Sequence, residues 1–480
     1  MIFEQFYLEC LSQASYLIAD ETTGRAVVVD PRRDIDQYLD SAAEHGARIE
    51  LVIDTHFHAD FVSGHLELAK ATGAEVAFGW RADTQFTTRG LSDGERLSLG
   101  EVTLEILETP GHTPESISIV VYEHADDTVP YGVLTGDTLF IGDVGRPDLL
   151  SSLGATSDDL ARMLYDSLTS KLMKLPGSTR VFPGHGAGSA CGKNLSTDLS
   201  STIADQMVSN YALQPMSSDE FVLVVTEGQS SAPAYFGYDA LRNRQDHDLL
   251  DEHEHPVPLT MTEALALAGQ GAVLLDTRDP MAFAAGHLVG SVNVGLEGRY
   301  AQYVGSVVLP GESVVLVAEP GAEVEAKVRL GRIGYDRVTG YVERVYEAIL
   351  RHPELVQVSS RLTAQAFEQR RSTVSNLQVV DVRNAGELDG GSVPGARNIP
   401  LSTLRDHLSN MDPSMPTVVY CAGGYRSSIA ASLLRQAGFG DVSDVVGGYQ
   451  AWEAAQARPG VDAESPSDAA PTDAGETASM

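Results

Sequence analysis

The run Thr55-His56-Phe57-His58-Ala59-Asp60-Phe61 limits what this chain can fold into more than any other segment. Two histidines and an aspartate alternate directly after the apolar stretch 49–54. Polar groups that are costly to bury therefore collect at the end of a strand, and a bound metal is the usual reason to gather them there. A metal site needs further ligands, so later segments must return to the same sheet end.

Composition sets the frame. With 480 residues the chain exceeds one ordinary core, and two to four domains are expected. An apolar content of 43% is that of a globular protein with material for buried sheets. No apolar run reaches the roughly 18 residues of a membrane span, and no partner membrane is expected. The start Met1-Ile2-Phe3-Glu4-Gln5-Phe6 lacks the basic and apolar regions of a secretory signal, so a cytoplasmic location is expected. Cys10, Cys191 and Cys421 lie far apart with no CxxC pair, which points to reduced thiols. A formal charge of −34 argues against a nucleic-acid partner, because phosphate contacts need basic patches.

Short apolar runs at 49–55, 102–107, 117–122, 131–135 and 179–182 read as strands, and 63–71 and 157–174 as helices. The polar stretch 243–255 reads as a solvated linker. Beyond it the chain repeats itself. Val273-Leu274-Leu275-Asp276-Thr277-Arg278 returns as Gln378-Val379-Val380-Asp381-Val382-Arg383, and Gly286-His287 through Asn293 returns as Gly391-Ser392 through Asn398. Both echoes are 105 residues apart, which implies one module of about that length present twice, each with a small parallel α/β sheet. Four regions follow: 1–245, 256–355, 356–458 and a disordered acidic tail at 459–480.

Three later segments of the first region end strands on Gly or a turn and carry a ligand-type residue. These are His112 in Thr109-Pro110-Gly111-His112, Asp137 in Thr135-Gly136-Asp137 and His185 in Pro183-Gly184-His185. Singly each is weak; in this order they resemble the metallo-β-lactamase superfamily, over roughly the first 200 residues. The resemblance implies an αββα sandwich with the metal at one edge of two sheets. In binuclear zinc members the first loop reads HxHxDH, and here Phe61 stands at the last position. His65 lies one turn further on, where a helix-surface role is expected. Losing that nitrogen argues for a single metal; a site assembled from His56, His112 and Asp137 would be a two-histidine, one-carboxylate set suited to non-haem Fe(II) and oxygen chemistry.

This departure makes the region similar to the persulfide dioxygenase branch. The resemblance implies one Fe(2+) per chain, with a low-molecular-weight thiol persulfide and O2 as substrates and sulfite as product. His58, Asp60 and His185 are then expected around the ligands, orienting them. A zinc thioester hydrolase of the glyoxalase II type, using His58, Asp60 and His185 as ligands, is the alternative. Arg146 is a candidate clamp for a substrate carboxylate, with an internal ion pair to an aspartate as the competing reading. Cys191, six residues after His185, is a candidate for sulfur relay or simply a small buried thiol.

In the last module a β-rich run ends at Cys421, followed by Ala422, Gly423, Gly424, Tyr425 and Arg426 and then a helix over 427–436. A cysteine on a Gly-rich turn before a helix receives backbone N–H dipoles that stabilise an anion on sulfur, and Arg426 adds a fixed charge. The module resembles a rhodanese, with the six-residue loop Cys421 to Arg426 holding a persulfide. Four intervening residues, where a Cdc25-type phosphatase loop needs five, favour sulfur over phosphate. In the first copy the equivalent position falls near Val317, with no cysteine, so 256–355 is expected to be an inactive rhodanese. The order of the three regions resembles the persulfide dioxygenase–rhodanese fusions of bacterial sulfide detoxification, which implies sulfite as the acceptor of the Cys421 sulfur, thiosulfate as product and a homo-oligomer.

Overall fold

The computed structural model describes residues 1–149, 156–229 and 232–457. The acidic tail expected over 459–480 lies outside the described residues. Among the described residues the first region forms two six-stranded sheets. Ile2–Leu8, Gln13–Ala19, Arg25–Val29, Arg48–Ile53, Glu75–Gly79 and Arg89–Leu91 lie in chain order in one sheet. The other runs backwards along the chain from Ser201–Thr202 through Arg180–Pro183, Gly132–Gly136, Ile117–Tyr122 and Thr103–Glu108 to Arg96–Ser98.

Strand alternation explains why both faces are covered. Tyr16, Ile18, Val27, Val29 and Ile53 point inward against Leu104, Ile106, Ile119, Val121 and Leu134 of the facing sheet. The intervening Leu17, Val28 and Val52 pack under the helices Asp36–Glu44 and His65–Thr72. On the far side Val120, Val133 and Val181 pack against Ser157–Ser170 and Ser218–Thr226. Ser157–Ser170 opens on a capping box between Thr156 and Asp159. The result is the expected αββα sandwich.

The two later modules share one design. Their five-stranded sheets have matching strand orders, built on Val273–Asp276 with Val314–Val317 in one and Gln378–Asp381 with Thr417–Tyr420 in the other. In each, an aspartate at the strand end holds an arginine two residues on: Arg278 Nη2 to Asp276 at 2.6 Å and Arg383 Nη2 to Asp381 at 2.7 Å. The same arginines reach the Gly286 and Gly391 carbonyls at 2.9 and 2.8 Å. Asn293 and Asn398 tie the loops by donating to both backbone carbonyls flanking the turn. The sequence echo thus marks a buried ion pair and its amide tie.

Two expectations are corrected. His65 is fully buried, with Nδ1 2.8 Å from Asp54 and its ring on Phe86. It opens the helix at its inner face, so it is no surface residue. The stretch 243–255 is not simply a solvated linker, because Asn243 is fully buried and the Asp248 carbonyl accepts from buried Arg33 at 2.7 Å.

Candidate metal centre and thiol site

His56, His112 and Asp137 leave three different strand ends and meet in one buried group. Asp137 Oδ2 lies 3.8 Å from His56 Nε2 and 3.6 Å from His112 Nε2, and has no hydrogen-bond partner. A buried carboxylate oxygen without a partner is costly unless a cation sits beside it. The imidazoles are set for one. His112 Nδ1–H donates to the Arg146 carbonyl at 2.9 Å, which leaves Nε2 as the lone-pair nitrogen. The Thr55 hydroxyl donates to Asp30 at 2.9 Å and accepts from His56 Nδ1–H at 2.9 Å, which fixes the same tautomer. Burial, with the charge of His58 beside it, pushes His56 well below the ordinary histidine range, so it is neutral and ready to ligate. The residues fit one metal ion. Gly145 permits the approach: a Cβ there would sit 1.9 Å from the Asp137 carbonyl and 2.9 Å from His112 Nδ1.

The other expected residues fall around this group. His185 donates through Nδ1 to Asp137 Oδ1 at 2.7 Å and faces Asp60 at 2.8 Å through Nε2. Burial opposes ionisation of Asp137, but the charge and hydrogen bond of His185 hold it well below the usual carboxylate range. His58 turns away, with Nε2 3.0 Å from Asp30. Phe61, fully buried, stacks near His58 with ring centroids 4.3 Å apart and stands 6.5 Å from the His185 ring. Cys191 is buried, and its sulfur groups with Asp60 and His185. Burial and the charges of Asp60 and Asp137 push its thiol up, so it is a neutral thiol. Arg146 takes the ion-pair reading in place of a free clamp: Nε and Nη2 both reach Asp148 at 2.7 Å.

Three supports escaped sequence reasoning. Asp30 adopts φ 50°, a left-handed conformation unusual for an aspartate, and serves Thr55 and His58 at once. Asn243 donates to the carbonyls of His58 and Phe61 at 2.8 Å each and accepts from the Ser63 amide, closing the ligand loop. Glu115 accepts from the Phe57 amide at 2.9 Å. Only folding assembles these contacts, and no local spacing signals them.

Cys421 directly follows the strand Thr417–Tyr420, ahead of the helix Tyr425–Gln436, as its position in the run implied. The Gly424 amide donates to its sulfur at 3.1 Å, from a glycine at φ 95° that a side chain would strain. Ala422, Gly423 and Tyr425 complete the turn, and Tyr425 Oη donates to the Gly295 carbonyl of the preceding module at 2.5 Å. Arg426 does not stand alone: Glu387 accepts both its Nη atoms at 2.6 and 2.7 Å. Glu387 was not legible as a partner.

Fold and site define a metal-binding αββα domain joined to a module with a cysteine loop. The profile described as metallo-beta-lactamase superfamily matches residues 8–185, and that of the rhodanese-like domain matches 363–455. A metallo-beta-lactamase from Staphylococcus aureus subsp. aureus COL superposes with a TM-score of 0.64 at 32% identity, covering 71% of this chain and 98% of that one. The chain belongs to the metallo-β-lactamase superfamily and carries a C-terminal rhodanese domain. The cytoplasmic hydroxyacylglutathione hydrolase of Arabidopsis thaliana is 34% identical over 183 residues, 38% of this chain. That match spans 66% of the plant protein's own length. ETHE1 from Myxococcus xanthus is 30% identical, with a TM-score of 0.44 over 51% of this chain and 98% of that one. Among the described residues no helix is long and apolar enough to cross a membrane.

Proposed function

We propose that the N-terminal domain is a mononuclear iron(II) persulfide dioxygenase and that the last module passes sulfane sulfur from Cys421 to sulfite, a pairing that serves sulfide detoxification. One observation carries the reading. Three ligand atoms converge at an unpartnered Asp137 oxygen, while His58 is committed to Asp30 and Phe61 fills the place of a further nitrogen. A two-histidine, one-carboxylate set leaves positions open for two substrates. Bound ferrous iron would supply activation of O2 next to the persulfide sulfur.

The overall conversion is RSSH + O2 + H2O to RSH, sulfite and two protons. The chain's own part is to hold ligands and protons in place. His56 and His112 keep their protons on Nδ1, locked by Thr55 and the Arg146 carbonyl. His185, raised well above its ordinary value by Asp137 and Asp60 against the cost of burial, keeps Asp137 ionised. Phe61, Phe140, Tyr235 and Cys191 pack as one buried apolar cluster that keeps bulk water away. In the last module a persulfide on Cys421 donates its outer sulfur to sulfite. The S–S bond breaks, the sulfite sulfur gains the new S–S bond, and the electron pair returns to the Cys421 thiolate, giving thiosulfate.

Anaerobic purification with metal analysis should find about one iron per chain, and a thiol persulfide should then trigger oxygen uptake. Cys421→Ser should release sulfite in place of thiosulfate. Two zinc ions per chain and no oxygen uptake after iron loading would reject the reading. A zinc thioester hydrolase is the second reading. The second cluster, Asp60 with His185 and Cys191, and the similarity to a hydroxyacylglutathione hydrolase favour it.

A further inference from the structure

A cavity of about 620 Å³ lies where all three folded regions meet. The metal domain lines it with Ser189 and Lys193, the cysteine-lacking module with Arg299 and Tyr303, and the last module with Glu387 and Arg426. The chain carries 67 acidic and 33 basic residues, yet this cavity shows three cationic side chains and a single carboxylate. Arg426 shares that carboxylate, Glu387. Lys193 Nζ donates to the Val224 and Glu227 carbonyls at 2.6 and 3.0 Å. Arg299 donates to the Gly188 and Ala187 carbonyls. Lys193 thereby caps the C-terminal end of the helix Ser218–Thr226, and neither it nor Arg299 has a carboxylate partner among the described residues. A cleft with a net positive lining in a protein of negative net charge concentrates a small counter-ion.

Its position ties it to both sites. The loop lining it from Gly188 to Lys193 starts three residues after His185 and contains Cys191. Arg146 donates its amide to the Cys191 carbonyl at 2.9 Å while its own carbonyl holds His112. On the opposite wall Arg426 belongs to the Cys421 loop. The Tyr303 ring lies 5.4 Å from that of Tyr425 in the same loop. The cavity wall therefore adjoins the loop that carries Cys191 on one side and the Cys421 loop on the other.

We propose that this cavity binds a small divalent oxyanion, sulfite under the function above, and that Lys193 and Arg299 are positioning residues for it. The cysteine-lacking module then has a chemical task, since it contributes Arg299 and Tyr303 to a chamber that serves Cys421. This rests on the sulfurtransferase half of the proposed function and not on the metal. The test uses the metal-free full chain, with a thiol persulfide as donor and supplied sulfite as acceptor, and with unreactive sulfate titrated by calorimetry. Lys193→Gln and Arg299→Gln should each raise the sulfite KM about 5–10-fold, the loss of one charge-assisted contact, with kcat within about twofold. Sulfate affinity should fall in step, and Arg299→Lys should recover most of it. Sulfite KM and sulfate affinity both within about twofold of the parent in the two Gln variants would overturn the proposal. Should Arg299→Gln fail to fold, Lys193→Gln decides alone by the same criterion. Absence of thiosulfate formation in the parent would reject the transferase reading, while the sulfate titration would still decide the chamber.

Discussion

The amide of Val62 donates to the carbonyl of Arg332 at 2.8 Å, so the loop carrying His56, His58 and Asp60 is closed by the cysteine-lacking module. Arg33 does the same next door. Fully buried, it reaches Glu67 at 2.7 Å and, across the domain boundary, Asp336 at 2.6 Å and the Gly331 carbonyl at 3.0 Å. Arg332 answers with a bidentate pair to Asp34 at 2.9 and 2.8 Å. The ligand loop and the module are thus one mechanical unit.

Arg33→Ala should therefore destabilise the contact by about 3–5 kcal/mol, because it strands buried Glu67 without its cation, while Asp336 keeps Arg242. Scanning calorimetry should show a lower first transition and the metal domain separating from the later modules. An unchanged thermogram would contradict the buttressing role.

His185→Gln removes the imidazole that holds Asp137 Oδ1 and leaves the three proposed ligands in place. Metal affinity should drop about 10–100-fold, measured by competition with a chelator. A larger loss, with no metal retained at all, would mean that His185 is itself a ligand.

Phe61→His restores a nitrogen beside Asp60, His185 and Cys191. Metal content of zinc-grown protein should then move from about one toward about two per chain. A content that stays at one would show that the apolar ring is not what limits the site to a single ion.

His287 offers a pH test away from both sites. Burial, opposed only by its donation to the Phe283 carbonyl, pushes it down to about 4. Its folded value lies below the unfolded value of about 6.5, so the stability it allows is present above pH ~6.5 and is lost as pH falls toward ~4. That amounts to about 2–3 kcal/mol. His287→Gln should flatten the fall in melting temperature across this window. Parallel curves for parent and variant would disprove it.

The grouping of His56, His112 and Asp137 was what the family resemblance implied, whereas residue order alone indicated the sandwich strands, the doubled module and the Cys421 turn. Each is a local event: alternation sets which side chains enter the sheet interior, and a glycine or turn after a strand sets where a polar residue emerges. Ile117–Tyr122 was placed to the residue, since an apolar run bounded by polar turns leaves little freedom. Tertiary structure decided the rest. Asp30 and Asn243 reach the ligand loop from outside it, from the strand before and from the far side of the domain, and Glu387 finds Arg426 across a module. Arg146 chose Asp148 over an open clamp, and Lys193, Arg299 and Arg426 share one cavity although they lie in three separate regions. Such contacts depend on how whole elements dock, through buried charges that pair only when solvent is gone, and no spacing along the chain encodes them.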